Sequence, residues 1–428
     1  MQEHTKRQAT RHTASTLRRW MGAALISLGT AFAAQSVLAA AQAWPPLASP
    51  VAKPGDDAFY TAPSDAELQA ARPGDVLRHR EMSAKAYYLF PVKGQAWQLM
   101  YRSTDHNGRP VAAVTAVLLP SSAPASNRKL YVYNAAYDAL TLNCAPSYQI
   151  AKGTALEQAL VQSGLNKGWV TVVPDYEGLE SLWTVGRNSG QAVLDAIRAA
   201  ERFQPLGLSG AATPAVLTGY SGGSIASTWA NELYRSYAPE LNIVGVAAGG
   251  VPVDMGNVAR KVDGKLFAGL YMGAVSALAR AYPEVGVDAL TNDEGKAMLV
   301  KIRDMCAGQF LGGNPDVVGS FAFKKMARYT SVPDILAVPA VQQVVDLNRL
   351  GQRKPGAPTY LYNGLFDQVM PINDVKGLVD TYCQHGVPTT FRQVLGEHIT
   401  SIFFGFQGAF DYLEARLAGK AVGRGSCK

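Results

Sequence analysis

Ala215-Val216-Leu217-Thr218-Gly219-Tyr220-Ser221-Gly222-Gly223-Ser224-Ile225-Ala226 runs from an apolar stretch, through a glycine-flanked serine, into a segment of helical character that extends to Tyr234. A strand that turns sharply into a helix at a serine is a layout that exposes a nucleophile. The hydroxyl attacks a carbonyl only when it is lifted on a tight turn, within reach of a histidine and with the next backbone N–H facing the oxyanion that develops. Gly219 and Gly223 leave strand and helix room to cross closely. By the same geometry the N–H of Gly222 supplies one oxyanion donor. The bland alternative is a plain turn in an unrelated doubly wound sheet. Chain order decides between the two.

A serine on such an elbow is followed in the chain by an acid and then a histidine. Of six histidines, His4 and His12 lie in a basic leader, and His79 and His106 precede the serine. His385 and His398 follow it. His398 sits between the strand-like Thr389 to Leu395 and the aromatic-rich Ser401 to Phe410, where a last strand delivers an imidazole to the top of a sheet. His385 falls at the end of a helical stretch, and capping is the cheaper account of it. Asp367 follows the strand-like Pro358 to Tyr362 and is placed to hold the second imidazole nitrogen. Asp374 lies past Pro371 in a first helical turn, where an acid serves the helix dipole. The catalytic candidates are therefore Ser221, Asp367 and His398.

Strands are expected at 96–103, 111–119, 129–135, 169–173, 215–219, 243–247, 358–362 and 389–395. Helices are expected at 156–163, 189–203, 224–234, 375–384 and 409–417. Central strands read as continuous apolar runs, as burial on both faces requires. The fold class is α/β: an α/β-hydrolase core with a mostly parallel central sheet. Residues 253–350 interrupt the rhythm and are too long for a loop. Helices at 257–281, 292–309 and 341–350 make this interval a helical cap over the serine, shaping an acyl pocket and excluding water. The core is then 84–252 and 351–428, a second unit beside the cap. Residues 44–83, rich in Pro, Ala and Asp, read as an N-terminal arm with a short helix at 65–71.

Asp138-Ala139-Leu140-Thr141-Leu142-Asn143-Cys144-Ala145-Pro146-Ser147-Tyr148 and Pro174-Asp175-Tyr176-Glu177-Gly178, together with the Gly-Tyr-Ser-Gly-Gly elbow and the acid and histidine loops, carry a resemblance. From about Ala84 onward the chain resembles the secretory lipases of the α/β-hydrolase fold, found in fungi and bacteria. The resemblance implies an ester hydrolase. It places the second oxyanion N–H on Asp138, beside that of Gly222. It also suggests a disulfide between Cys144 and Cys306, which leaves Cys383 with Cys427. Where the family often has an acid before this aspartate, the chain has Tyr137, which removes the ground for expecting a carboxylate pair there. Tyr176, Trp183 and Phe366 are the pocket candidates, with Asp175 as a loop organiser.

The N-terminus reads as an export signal. Lys6, Arg7, Arg11, Arg18 and Arg19 precede an uncharged, mostly small or apolar run, Trp20 to Ala41, and two small-x-small sites end it at Ala41 and Ala43. Residues 1–43 are expected to be removed, although the run is nominally long enough for a membrane anchor. Arg18-Arg19 leaves general and twin-arginine export both open. Five basic side chains and Glu3 lie before residue 42, so the formal charge of +7 reduces to +3. No dense basic patch remains to argue for nucleic acid. The four cysteines all lie beyond this leader. In an exported chain their even number permits two disulfides, and on number alone all three pairings are open. Histidines and cysteines are too scattered for a zinc site, no calcium loop appears, and no dinucleotide fingerprint opens an early βαβ unit.

The expected protein is a secreted or periplasmic monomer without metal or cofactor. It cleaves carboxylic esters through an acyl-enzyme and meets lipid interfaces transiently through its cap. Acylglycerols with medium or long acyl chains are the favoured substrates. The alternatives are a short-chain or aromatic carboxylesterase and, further off, a peptidase or amidase. A non-enzymatic binding role does not need the ordered triad.

Overall fold

Alternating apolar strands and helices build one ten-stranded sheet in the computed structural model, which describes residues 41–86, 90–307 and 316–428. The strands are β1 (Gln42–Ala43), β2 (Val76–Glu81), β3 (Gly94–Thr104), β4 (Pro110–Pro120), β5 (Leu130–Asn134), β6 (Val170–Pro174), β7 (Pro214–Tyr220), β8 (Asn242–Gly249), β9 (Thr359–Gly364) and β10 (Thr389–Val394). They lie side by side in the order β1-β2-β3-β4-β6-β5-β7-β8-β9-β10. From β6 to β10 every pairing is parallel, and β2, β3, β4 and β6 pair antiparallel in succession. All of β5 and β6 is buried, which is why those sequences are apolar on both faces. The expected strands are all present, within about two residues at each end.

The segment expected as an arm is different. Its short helix, Asp65–Ala70, forms with a capping box between Ser64 and Glu67. Val76–Glu81, however, is strand β2 of the main sheet, and β1 pairs beside it. Only one residue of β2 is fully buried, so its polar sequence carried little strand signal. The opposite edge, β10, is partly covered by the C-terminal tail. Thr389 bridges to Gly425, and the disulfide Cys383–Cys427 fixes the tail to the helix before β10. The expected export signal lies, but for residues 41–43, outside the described residues.

Helices α1 (Gln158–Asn166), α2 (Gly186–Arg202) and α3 (Gly222–Tyr237) cover the sheet. Between β8 and β9 comes the cap, with α4 (Met255–Val262), α5 (Ala268–Ala281), α6 (Asp293–Lys301) and α7 (Pro339–Leu347); α8 (Ile372–Gln384) and α9 (His398–Leu417) return to the sheet. The helix expected over 257–281 is split. It stops at Asp263 and Gly264, where Gly264 has a φ of +71° and the Asp263 carboxylate accepts from the Met326 N–H at 2.7 Å. The cap has its own apolar core around Met272, Ile302 and Val317, which also takes in Leu140, Trp183 and Met370 from core loops. Cap and sheet thus pack against each other as one compact body.

Candidate active site

Ser221 sits between β7 and α3 with φ +52° and ψ −121°, a conformation that L residues avoid. The flanking glycines make this turn passable. A Cβ on Gly219 would lie 2.3 Å from the Gly223 carbonyl oxygen, and one on Gly223 would lie 1.9 Å from that of Asn134. The Ser221 N–H donates to the Gly249 carbonyl at 2.9 Å, so the end of β8 holds the elbow.

The structure brings Ser221, His398 and Asp367 together. Ser221 Oγ lies 3.0 Å from His398 Nε2, and His398 Nδ1 lies 2.9 Å from Asp367 Oδ2 and 3.1 Å from Oδ1. Asp367 Oδ1 also accepts from the N–H groups of Val369 and Met370, at 2.8 and 2.7 Å, which fixes the carboxylate plane. The histidine and aspartate side chains are nearly sealed from water, at 4% and 0% exposure. This arrangement lets the imidazole take a proton from the serine while the carboxylate holds its other nitrogen. The competitors are elsewhere. Asp374 accepts from Asn257 Nδ2 at 3.0 Å in the first turn of α8, and His385 caps the end of that helix.

Four supports of the histidine escaped the sequence reading. His398 opens α9, whose N-cap Glu397 accepts from the N–H groups of Ile399 and Thr400 at 2.9 and 2.7 Å. Gln368 donates to Glu397 at 3.1 Å and accepts from the His398 N–H at 3.1 Å. The Tyr220 hydroxyl donates to the His398 carbonyl at 2.6 Å. From the cap, Lys261 Nζ donates to the carbonyls of Asp367 and Met370 at 2.8 and 2.9 Å. The Glu397-x-x-Thr400 cap was the available signal. It places the start of α9 eleven residues ahead of the 409 expected from apolar spacing.

Asp138 and Gly222 meet beside the serine. Asp138 has a φ of +37°, and its Oδ1 lies so close that a Cβ on Gly222 would come within 1.6 Å of it. A half-buried and a buried carboxyl fasten this loop. Glu157 accepts from the Ala136 N–H and Glu177 from the Ala139 N–H, each at 3.3 Å, and the Glu177 N–H donates to the Tyr137 hydroxyl at 2.7 Å. The Ala307 N–H donates to the Asp138 carbonyl at 3.0 Å, and the Cys144–Cys306 disulfide ties the same loop to the cap. Burial pushes the Asp138 carboxyl up to about 7, helped by the neighbouring Glu157 charge and opposed by the Trp183 indole. Burial likewise pushes Glu157 up to about 7, and Glu177 is raised well above its ordinary range. Tyr137 thus stands among acids that come from other segments. Asp175 organises a neighbouring turn by accepting from the Ser147 N–H at 2.8 Å and hydroxyl at 2.5 Å.

A narrow cavity of about 40 Å³ runs from Ser221, Gly222 and Asp138 under the cap, lined by Trp183, Ile225, Val258, Leu270, Tyr271 and Met370 among others. Of the pocket candidates only Trp183 reaches it. Tyr176 is buried against the segment 135–137, where its hydroxyl donates to the Ala135 carbonyl at 2.8 Å and its ring meets Tyr137. Phe366 points to solvent, 65% exposed. Its neighbour Asp367 turns inward to the imidazole, which leaves the preceding side chain outside. Among the described residues no cluster of His, Cys, Asp or Glu could hold a metal ion, and no helix is long and apolar enough to cross a membrane.

Residues 146–425 match the family model described as secretory lipase. A Mycobacterium tuberculosis protein named as a probable inactive lipase is 36% identical, over 86% of this chain and 83% of its own. Lipase 5 of Candida albicans is 34% identical, over 86% and 82%. The X-ray structure of Candida antarctica lipase A superposes with a TM-score of 0.79 at 29% identity, covering 87% of this chain and 88% of its own.

Proposed function

The chain belongs to the secretory lipase family, and on that premise we propose that it hydrolyses carboxylic esters as a lipase, through an acyl-enzyme on Ser221. The observation that carries this is the unbroken line of hydrogen bonds from Ser221 Oγ through His398 to Asp367. His398 Nε2 takes the hydroxyl proton as Oγ attacks the ester carbonyl. Asp367 holds Nδ1–H and favours the imidazolium. The N–H groups of Gly222 and Asp138 face the oxyanion. The tetrahedral intermediate then collapses, and His398 returns the proton to the departing alcohol. A water repeats the sequence on the acyl-enzyme and releases the acid. The family's secretory character and the two disulfides agree with an oxidising, extracytoplasmic location. Removal of a leader ending at Ala41 or Ala43 is part of the proposal, as is a monomeric state.

The apolar lining under the cap favours medium or long acyl chains, each buried methylene offering about 0.8 kcal/mol. The cavity's size favours a second reading. At about 40 Å³ it is far smaller than the roughly 300–1,000 Å³ of ordinary ligand pockets. A long acyl chain enters only if α4 and α5 move apart, whereas an acetyl group needs little adjustment. Turnover of p-nitrophenyl esters from acetyl to palmitoyl separates the two. A medium- or long-chain optimum, with a phosphonate labelling Ser221, supports the lipase. Activity confined to acetyl and propionyl esters makes the chain a short-chain esterase. No turnover of any ester by folded protein removes both.

A further inference from the structure

The cap carries an exposed tip whose chemistry the reaction does not use. Segment 264–266 is tied to 323–324 by two backbone hydrogen bonds, Phe323 N–H to the Lys265 carbonyl at 2.8 Å and Gly264 N–H to the Lys324 carbonyl at 3.1 Å. At the apex Phe323 is 68% and Leu266 47% exposed. Phe323 has a φ of +62°, a region that costs a bulky L residue about 1 kcal/mol or more, so an aromatic ring is held toward water by a strained backbone. Three exposed lysines, Lys265, Lys324 and Lys325, surround the two apolar side chains. None of them has an ion pair among the described residues.

The tip stands beside the catalytic histidine. Phe267, next after Leu266, is buried with its ring centroid 6.2 Å from that of His398. On the first turns of α9, which His398 opens, Ile399 and Phe403, spaced i and i+4, are 53% and 64% exposed, and Phe404 beside them is 64% exposed. The remaining exposed large apolar side chains are not scattered evenly either. Among the described residues only Val300, Leu347 and Val422 lie away from the tip and the acid and histidine loops. A water-facing surface has no reason to gather its apolar side chains on the segments that carry one histidine and its partners.

We propose that this face docks on a lipid surface bearing anionic headgroups, with Leu266 and Phe323 entering the acyl boundary and Lys265, Lys324 and Lys325 meeting the headgroups. Apolar side chains ringed by ammonium groups suit such a boundary, where hydrocarbon and negative charge lie within one side-chain length. A second protein offers no such general match to flanking unpaired lysines. The inference rests on the ester-hydrolase reading, since it explains why the docking face borders His398: a chain of the lipid reaches Ser221 without crossing bulk water. It extends the expected contact through the cap to the exposed start of α9.

Flotation with vesicles of phosphatidylcholine, alone or mixed with phosphatidylglycerol, tests this. The protein binds the mixed vesicles more tightly, and the preference fades as salt rises past the point where the Debye length falls to a few ångströms. Replacing Lys265, Lys324 and Lys325 together by Ala weakens binding to mixed vesicles roughly 100-fold, about fivefold per lysine. Phe323→Ser with Leu266→Ser weakens binding to both vesicle types about tenfold or more. Turnover of a soluble acetyl ester stays within about twofold of wild type in every variant, which shows the fold and the chemistry intact. Variants that bind both vesicle types like wild type overturn the proposal. So does wild-type protein that ignores the mixed vesicles, or a dimer in solution that Phe323→Ser dissociates without any vesicle binding. If the soluble ester is not hydrolysed at all, the ester-hydrolase reading fails, and vesicle binding is scored separately.

Discussion

The two halves of the site are fastened by different means. On the acid–histidine side, the supports are a helix N-cap, two backbone N–H groups on the Asp367 carboxylate and a lysine on loop carbonyls. On the oxyanion side, a residue with φ +37° is held between buried carboxyls, and a disulfide ties the loop to the cap. The first half is mostly local: Asp367 to Met370 and Glu397 to Thr400 make most of the bonds that aim the imidazole, with Tyr220 and Lys261 added from β7 and α4. The second draws on β5, α1, the turn after β6 and the cap at once. A locally built half tolerates distant change, and a half assembled from four segments carries strain and buried charge into the reaction.

If the local half is the proton-transfer machine, it can be broken with one side chain. His398→Ala is expected to lower kcat by roughly 10⁴ to 10⁶, as loss of a triad member does. His385→Ala, at the end of α8, leaves kcat within about twofold. Initial rates on one soluble ester, with thermal melts to check folding, decide it. Equal losses in both variants overturn the assignment. The comparison bears on the mycobacterial relative named as inactive, because here all three groups are present at hydrogen-bonding distance.

The oxyanion half is broken at Gly222. A methyl group there would lie 1.6 Å from Asp138 Oδ1, so Gly222→Ala pushes the strained loop away from the serine while Ser221, His398 and Asp367 keep their bonds. The expected loss is about 10² to 10³ in kcat, the scale of one lost oxyanion donor. A loss below about threefold shows that the Asp138 loop is not in the transition-state contact.

The local half was also the legible half. Ser221, Asp367 and His398 follow from chain order and from short runs of sequence around each. Trp183 and Phe366 were chosen as aromatics able to add apolar wall and Tyr176 for its place in the Pro174–Gly178 turn, yet only Trp183 reaches the cavity. Which face of a loop an aromatic takes depends on packing from β5 and β9 that no local spacing encodes. Glu157 and Glu177 were invisible for a related reason. A buried glutamate on the rim of a helix or turn looks in sequence like any surface acid, and only the tertiary fold brings it to Ala136 or Ala139. Strand β2 hid behind its charges, because a strand near a sheet edge keeps few residues dry.

The buried acids make the oxyanion half sensitive to pH in a direction unusual for carboxylates. Glu157 is held near 7 in the folded chain, above its ordinary 4.5, chiefly by burial. The folded state therefore keeps a proton that the unfolded state releases. The stabilisation is full below the unfolded value and is lost as pH rises through about 7, at about 1.4 kcal/mol per pH unit for each such group. Asp138 and Asp175, also raised to about 7, act with the same sign. The melting temperature is expected to fall between pH 5 and pH 8. Glu157→Gln, which keeps an acceptor for the Ala136 N–H and cannot ionise, should flatten part of that fall. A melting temperature that rises over this window, or a variant with an unchanged slope, contradicts the buried-acid account.

The smallest effect tests whether the acid–histidine side is as local as it looks. Besides apolar packing, Lys261 ties the acid loop to α4 by hydrogen bonds to the carbonyls of Asp367 and Met370. Lys261→Met keeps most of the apolar stem and removes both bonds, each worth about 1 kcal/mol net. If the loop is held by its own hydrogen bonds, kcat on a soluble acetyl ester falls by no more than about fivefold, which is about 1 kcal/mol. A longer acyl ester gives a sharper reading, since α4 lines the narrow cavity through Val258 and Val262. Released from the loop, α4 opens more readily, so the ratio of long-chain to acetyl turnover is expected to rise in the variant. A fall of 100-fold or more on the acetyl ester would mean that the cap positions the acid, and the distinction between a local and an assembled half would be lost.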